Sequence, residues 1–384
     1  MIRPKILLLP SWYPSKVHDT NGIFIRRFAE SIGDKVEVKI LYAVSSESST
    51  KIELEINNQV GFQEYFVYYP KIKAGLFSSF YKLKAFYQAY NYGFNKMKAD
   101  GFIPEVVHVQ VALNAGLFAL ELKKKFNLPF IVTEHWSGYL KEDGRYQGFL
   151  NKLTARKIFK NANAVVTVSS ALGESLVKHQ LIKSFYVVPN ALQSEKFFPI
   201  NNTIQPQGFI HISNFAKEKQ VSKIIKAFQA LLESGIKTKL ILVGEGYEKQ
   251  ALQNLCLNNS LLADTVEFLP FQTPEQLNLL INKSYALVLF SAFETMSLVM
   301  AETWLCGKPV IVTKVGGIPE NFNSKAGIMI EPDNEPQLFE AMKNIYLNHT
   351  QYEPAICRAH SISKFSKEKI INDYLSLYLP LISR

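Results

Sequence analysis

The sequence predicts an α/β protein made of two doubly wound parallel-sheet domains facing each other across a cleft. Twelve short runs rich in β-branched residues punctuate the 384 residues, six on each side of about residue 190. Helical patterns separate most of them, the alternation that βαβ units and a parallel sheet require. A chain of 384 residues also exceeds what one hydrophobic core usually holds.

In the first half the runs are residues 6–9, 36–42, 106–109, 130–133, 164–168 and 186–188. In the second they are residues 209–212, 239–243, 266–268, 286–290, 310–313 and 327–330. Helical patterns cover residues 113–125, 222–234 and 274–282. Pro189-Asn190 marks the expected hinge. This gives an N-terminal domain over 1–190, a C-terminal domain over 191–362 and a final segment, 363–384, whose helix over 367–378 is expected to pack back across the hinge.

Composition excludes several classes. Nearly half the residues are apolar, so the chain is globular rather than disordered. No apolar run reaches membrane-spanning length. The opening Met1–Pro10 stretch is too short in its apolar core for a secretory signal and reads as a first strand. Three cysteines, Cys256, Cys306 and Cys357, are odd in number and lack metal-ligand spacing, which predicts a reducing cytoplasm.

The formal charge of +10 belongs entirely to residues 1–190, which hold 25 Lys and Arg against 15 Asp and Glu. Residues 71–98 carry six lysines, no acid and eight aromatics. Such a segment suits an anionic membrane surface. It also suits an amphipathic helix with core aromatics and wet lysines, or, as a third reading, nucleic acid.

The densest chemistry lies around Glu294 and Glu302. The run 286–290 reads as a buried strand, a helical pattern starts near Leu298, and Gly307 with Pro309 ends it. Glu294 therefore falls on a strand-to-helix loop and Glu302 about one turn inside the helix, so both can face a crevice at the carboxyl end of a sheet. The structural alternative is one Glu supporting the helix dipole and a second, solvated one.

Lys219 follows the strand 209–212 and precedes a helix, a place that suits an anionic leaving group or merely a wet lysine. His135 closes a strand within Thr133-Glu134-His135-Trp136, as a substrate contact or a satisfied loop histidine. Gly22 precedes a helix, where a backbone without Cβ can approach a phosphate closely, though an ordinary loop glycine fits too. Gly244-Glu245-Gly246 lacks the third glycine of a dinucleotide fingerprint and reads as a strand-ending turn.

Several motifs combine along nearly the whole chain. They are Pro10-Ser11-Trp12-Tyr13-Pro14 with Gly22-Ile23-Phe24-Ile25, Val188-Pro189-Asn190-Ala191, Phe197-Phe198-Pro199 and Leu242-Val243-Gly244-Glu245-Gly246. The most specific is the Glu294–Glu302 pair with Gly307-Lys308-Pro309-Val310 and Gly316-Gly317-Ile318-Pro319-Glu320. In order and spacing they resemble the retaining glycosyltransferases of family 4, the two-Rossmann-domain GT-B type also called glycosyl transferases group 1.

The resemblance implies a nucleotide-diphosphate sugar donor, UDP- or GDP-linked, transfer with retention of configuration, no cofactor and no obligatory metal. It implies that Glu294 holds sugar hydroxyls, Glu302 the ribose, and Lys219 the departing phosphate. The amides of Met296, Ser297 and Leu298 would face the sugar and diphosphate, Gly22 the diphosphate and His135 the sugar. Asn214 stands where the family usually places an arginine, with Lys217 nearby as a substitute cation. Met296 and Ser297 replace the usual aromatic and glycine.

The expected protein is a cytoplasmic glycosyltransferase, peripheral at the inner face of the membrane, acting on a lipid-linked saccharide in bacterial surface polysaccharide or lipopolysaccharide synthesis. It contacts no nucleic acid. The alternatives are a non-catalytic subunit that binds a nucleotide sugar or a partner enzyme, and a sugar-nucleotide epimerase of the same architecture.

Overall fold

The computed structural model describes residues 3–19, 21–75, 77–200 and 205–382. The chain divides into two compact units, Met1–Ala191 with Glu368–Arg384, and Leu192–Lys367.

The first unit runs β1 (Lys5–Pro10), α1 (Ile23–Ile32), β2 (Glu37–Ser46), β3 (Glu53–Gln59), β4 (Phe62–Pro70), α2 (Ser78–Ala99), β5 (Val106–Gln110), α3 (Ala115–Phe126), β6 (Phe130–Glu134), α4 (Phe149–Asn161), β7 (Ala164–Thr167), α5 (Ser170–Lys178) and β8 (Tyr186–Val187). Its sheet has the order β3-β4-β2-β1-β5-β6-β7-β8. All neighbours pair in parallel except β3 with β4. The central strands are near-continuous apolar runs, as a sheet covered on both faces demands.

The second unit runs β9 (Gly208–Ile212), α6 (Val221–Glu233), β10 (Lys239–Val243), α7 (Lys249–Leu257), α8 (Ser260–Ala263), β11 (Val266–Leu269), α9 (Pro274–Asn282), β12 (Ser284–Leu289), α10 (Leu298–Leu305), β13 (Val310–Thr313), α11 (Ile318–Asn321), β14 (Gly327–Ile330), α12 (Glu335–Asn348) and α13 (Pro354–Phe365). Its six strands are all parallel, in the order β11-β10-β9-β12-β13-β14. The last helix, α14 (Lys367–Ile382), lies in the first unit apart from its initial residue. There Ile370, Ile371, Tyr374 and Tyr378 join the core built on Ile6, Leu8, Ile40 and Ile131.

Two expectations need correction. The first sheet has eight strands among the described residues rather than the six expected, the additional two forming the β3–β4 hairpin. β3 is an edge strand whose residues, Glu-Leu-Glu-Ile-Asn-Asn-Gln, are exposed or half-buried, so it carries no apolar run to betray it. Second, among the described residues of the basic segment 71–98 the helix begins at Ser78, so the amphipathic-helix reading covers only part of the segment. Its aromatics split, Tyr90 and Phe94 packing in the core while Phe77, Phe80, Tyr81 and Tyr92 are exposed.

Candidate functional site

Among the parallel strands of each sheet the order reverses at one place, and an open α/β sheet binds ligands outside the carboxyl ends of the strands at that point. In the second unit the reversal lies between β9 and β12. The loop after β9 carries Asn214 and Lys219, and the loop after β12 carries Glu294. Adjacent parallel strands end side by side, so residues 75 positions apart meet: Lys219 Nζ lies 2.6 Å from Glu294 Oε1. Ser291 Oγ donates to the same oxygen at 2.9 Å. The pair is largely shielded, with side-chain exposures of 19% and 12%.

Backbone contacts fix both loops. The Ala292 amide donates to Glu218 O at 2.7 Å and the Gly317 amide to Glu294 O at 3.2 Å. Gly316 has φ of 50°, and a Cβ there would overlap the Glu294 carbonyl oxygen, so only glycine lets this turn seat the Glu294 loop. The strand-ending turn after β10 also braces the site, the Lys217 amide donating to the Tyr247 hydroxyl at 2.6 Å. Asn214 and Lys217 are exposed.

Helix α10 starts where Glu294's loop ends. Ser297 is its N-cap, and its hydroxyl accepts from the Met300 amide at 3.3 Å. The serine at this position thus has a structural role of its own, since it satisfies one of the amides left open at a helix start. The amides around Met296, Ser297 and Leu298 sit at the positive end of the helix dipole, where an anion is favoured. Glu302 is 3% exposed, which excludes a solvated helix glutamate. Its charge, after burial, helps to push the Cys306 thiol up.

In the first unit the reversal lies between β1 and β5. Ser11, just past β1, donates to Val111 O at 2.8 Å and also bonds Leu113 O, while its Oγ accepts from the Ala115 amide at 3.1 Å. Val111 and Asn114 have φ of 69° and 72°. A β-branched residue with positive φ is strained, and such strain concentrates at functional sites. Neither position carries a signal in the sequence.

His135 follows β6 and is 8% exposed. Its Nε2 lies 2.6 Å from Gln110 Oε1, and its Nδ1 is buried with no hydrogen-bond partner. Burial holds its pKa down at about 3, so the ring is neutral. Phe24 of α1 packs on the ring at a centroid distance of 4.6 Å. Gly22, the N-cap of that helix, has φ of 72°, and a Cβ there would overlap the Trp12 carbonyl. Packing against Trp12 therefore suffices to explain this glycine. One residue before His135, Glu134 is fully buried and accepts from the amides of Ala112, His135 and Trp136. Burial outweighs these bonds and raises its pKa to about 7. In the sequence Glu134 is only a strand-end residue beside His135, with no signal of its burial.

Among the described residues no group of three or more His, Cys, Asp or Glu side chains is placed to hold a metal ion. Within the same residues no helix is long and apolar enough to cross a membrane.

Comparison with known proteins agrees with this geometry. Residues 25–196 match the family described as Glycosyltransferase Family 4, and residues 193–360 the family described as Glycosyl transferases group 1. Together the matches run almost from end to end, and the chain belongs to the family 4 glycosyltransferases. The chain is 30% identical over 234 residues to the N-acetyl-α-D-glucosaminyl L-malate synthase of Bacillus anthracis, a stretch covering 56% of this chain and 60% of that relative. Sucrose-phosphate synthase from Thermosynechococcus elongatus has the same fold, with a TM-score of 0.78, 18% identity and 99% of each chain covered. So does HepE from Anabaena, solved in complex with UDP, with a TM-score of 0.70, 16% identity and coverage of 97% of this chain and 99% of that one. The fold is thus GT-B, two Rossmann-like parallel-sheet units.

Proposed function

We propose that this protein transfers a sugar from a nucleotide-diphosphate donor, UDP- or GDP-linked, to a lipid-linked saccharide acceptor, with retention of configuration and without a metal or other cofactor. The observation that carries the reading is the Lys219–Glu294 pair at the reversal point of the second sheet, beside the N-terminus of α10. The UDP bound to HepE, a protein of the same fold, supports a nucleoside diphosphate.

Breaking the bond between the anomeric carbon and the phosphate leaves the electron pair on the phosphate oxygen and positive charge on the sugar ring. Lys219 and the α10 amides stabilise that oxygen, which is where fixed donors lower a barrier most. Glu294 accepts from sugar hydroxyls, and Glu302 from the ribose. The acceptor hydroxyl attacks on the face the phosphate leaves, its oxygen bonding the anomeric carbon while its proton passes to the phosphate. For Gly22 and His135 we keep the donor contacts that the resemblance implies.

A lipid-linked acceptor and membrane contact are supported by the surface of the first unit. A cavity of about 680 Å³ is lined by Lys82, Leu83, Phe86 and Tyr90 of α2, Asn151 of α4 and Asn114. On the same two segments Phe77, Phe80, Tyr81 and Leu83 of the α2 segment and Phe149, Leu150 and Leu153 of α4 are exposed. Neither helix contains an acidic residue. Exposed aromatics among lysines suit the headgroup level of an anionic bilayer.

The test is turnover. With UDP- and GDP-sugars and a lipid-linked saccharide, free nucleoside diphosphate and an extended lipid product are expected. Binding of a nucleotide sugar, seen as a thermal shift, with no product from any acceptor would replace the enzyme by a binding subunit.

A further inference from the structure

A buried chain of hydrogen bonds in the first unit begins at His135 and ends on the last helix, α14. His135 Nε2 lies 2.6 Å from Gln110 Oε1, and Gln110 Nε2 lies 3.1 Å from His108 Nε2. His108 Nδ1 in turn lies 2.6 Å from the Tyr378 hydroxyl. Thr133 Oγ1 joins at 2.7 Å from His108 Nε2 and 3.0 Å from the Tyr374 hydroxyl. Every one of these side chains is buried, and His135, at 8%, is the most exposed. At the far end, His135 Nδ1 has no partner.

Burial drives both rings well below the ordinary histidine range, so each is neutral and carries a single N–H at neutral pH. One proton per ring makes the chain directional. In the first setting His135 Nε2–H donates to Gln110 Oε1, the Gln110 amide donates to His108 Nε2, and His108 Nδ1–H donates to Tyr378. Thr133 then donates to His108 Nε2 and accepts from Tyr374. In the reverse setting Tyr378 donates to His108 Nδ1, and His108 Nε2–H donates to a turned Gln110 carbonyl. The Gln110 amide then donates to His135 Nε2, which moves the His135 proton to Nδ1.

We propose that Tyr378, His108 and Gln110 are positioning residues that decide which ring nitrogen of His135 carries its proton. The free Nδ1 thereby presents either a lone pair or an N–H. The amide orientation of Gln110 corresponds to the first setting, with a lone pair on Nδ1. That lone pair accepts from a hydroxyl, which suits a sugar, and this last step rests on His135 as a donor-sugar contact. A hydroxyl on the C-terminal helix thus selects the hydrogen-bonding character of a nitrogen at the end of β6.

Side-chain nitrogen NMR of the full chain, labelled on histidine and assigned with His135→Asn, reads each tautomer directly. The wild type is expected to show Nε2–H at His135 and Nδ1–H at His108. Tyr378→Phe removes the acceptor for His108 Nδ1–H, whereas a proton on His108 Nε2 still finds Thr133 or a turned Gln110. Reversing the chain therefore shifts the unpaired N–H from the fully buried His108 to His135, the most exposed member, at the end where the donor sugar is proposed to bind. His108 is then expected to move its proton to Nε2, Gln110 to turn over, and His135 to become Nδ1–H. Gln110→Met keeps the volume and cuts the chain, so His135 is expected to show both tautomers, unaltered by adding Tyr378→Phe. An unchanged Nε2–H form of His135 in folded Tyr378→Phe overturns the proposal, as does a single Nε2–H form in Gln110→Met. A tautomer switch accompanied by wild-type kcat and donor KM leaves the relay standing and removes His135 from the sugar site.

Discussion

The Lys219 ammonium stands 2.6 Å from Glu294 Oε1, the two residues coming from loops on either side of the strand-order reversal in the second sheet. A carboxylate and an ammonium largely shielded from water neutralise each other until an anion competes for the cation. Diphosphate binding is therefore expected to draw Lys219 toward the phosphate and free Glu294 for hydroxyls. Lys219→Ala and Glu294→Ala are each expected to lower turnover by about 10²-fold or more in a protein with wild-type circular dichroism. Wild-type-like kcat in both variants would remove this pair from the site.

Gly316 seats the Glu294 loop through its backbone. With φ of 50° and the Glu294 carbonyl where a Cβ would stand, Gly316→Ala is strained twice over. Its expected cost is on the order of 2 kcal/mol, measured as a shift in the urea midpoint with unchanged slope, and it should also weaken donor binding. An equally stable Gly316→Ala protein would show that the turn relaxes freely.

Legibility in the sequence followed locality. Helix α9, Pro274–Asn282, coincides with the helical pattern in the sequence, and its signals are adjacent: Thr273 caps the helix, Gln276 closes a capping box and Pro274 opens the first turn. Strands Lys239–Val243, Val310–Thr313 and Gly327–Ile330 were equally plain, since buried parallel strands are apolar runs. The hairpin strand β3 was not, because a polar edge strand resembles a loop. Lys219 and Glu294 were each legible as loop residues at strand ends, but their contact depends on which strands are neighbours, which is a property of the sheet order. The strain at Val111 and Asn114 and the burial of Glu134 arise from tertiary packing and leave no local trace.

Three buried histidines set the acid response. Burial depresses His135 to about 3 and His211 to about 4, and holds His108 well below its ordinary value. Below the unfolded value of about 6.5 the unfolded chain takes up protons that the folded chain refuses. The histidine contribution to stability is therefore full above that pH and falls as pH drops toward the folded values, by about 1.4 kcal/mol per pH unit for each ring. Glu134, raised from 4.5 to about 7, takes up a proton on folding and offsets about one ring's share down to about pH 4.5. His211, bonded to Val288 O and Ser213 Oγ, gives the clean test. His211→Gln is expected to lower stability at neutral pH and to reduce the slope between about pH 4 and 6.5 by one ring's share. An unchanged slope from urea titrations would mean that His211 protonates in the folded protein.

The cationic face of the first unit is expected to weigh on membrane binding through particular residues. Lys96 is paired with Asp100 at 2.9 Å, and Lys98 lies over the rings of Phe94 and Phe126, so neither is well placed to meet a lipid headgroup. Lys82 and Lys84 on α2 and Lys152 and Arg156 on α4 are exposed on helices without acids. A basic residue at an anionic surface contributes about 1 kcal/mol, so replacing all four by Gln is expected to weaken binding to phosphatidylglycerol vesicles by up to about 10³-fold. The loss should shrink as salt screens the surface. Phe80→Ser with Leu150→Ser separates the apolar part, which is expected to persist at high salt. Co-sedimentation of the four-fold variant at the wild-type level would show that α2 and α4 do not face the bilayer, and the acceptor would then have to reach the protein by another surface.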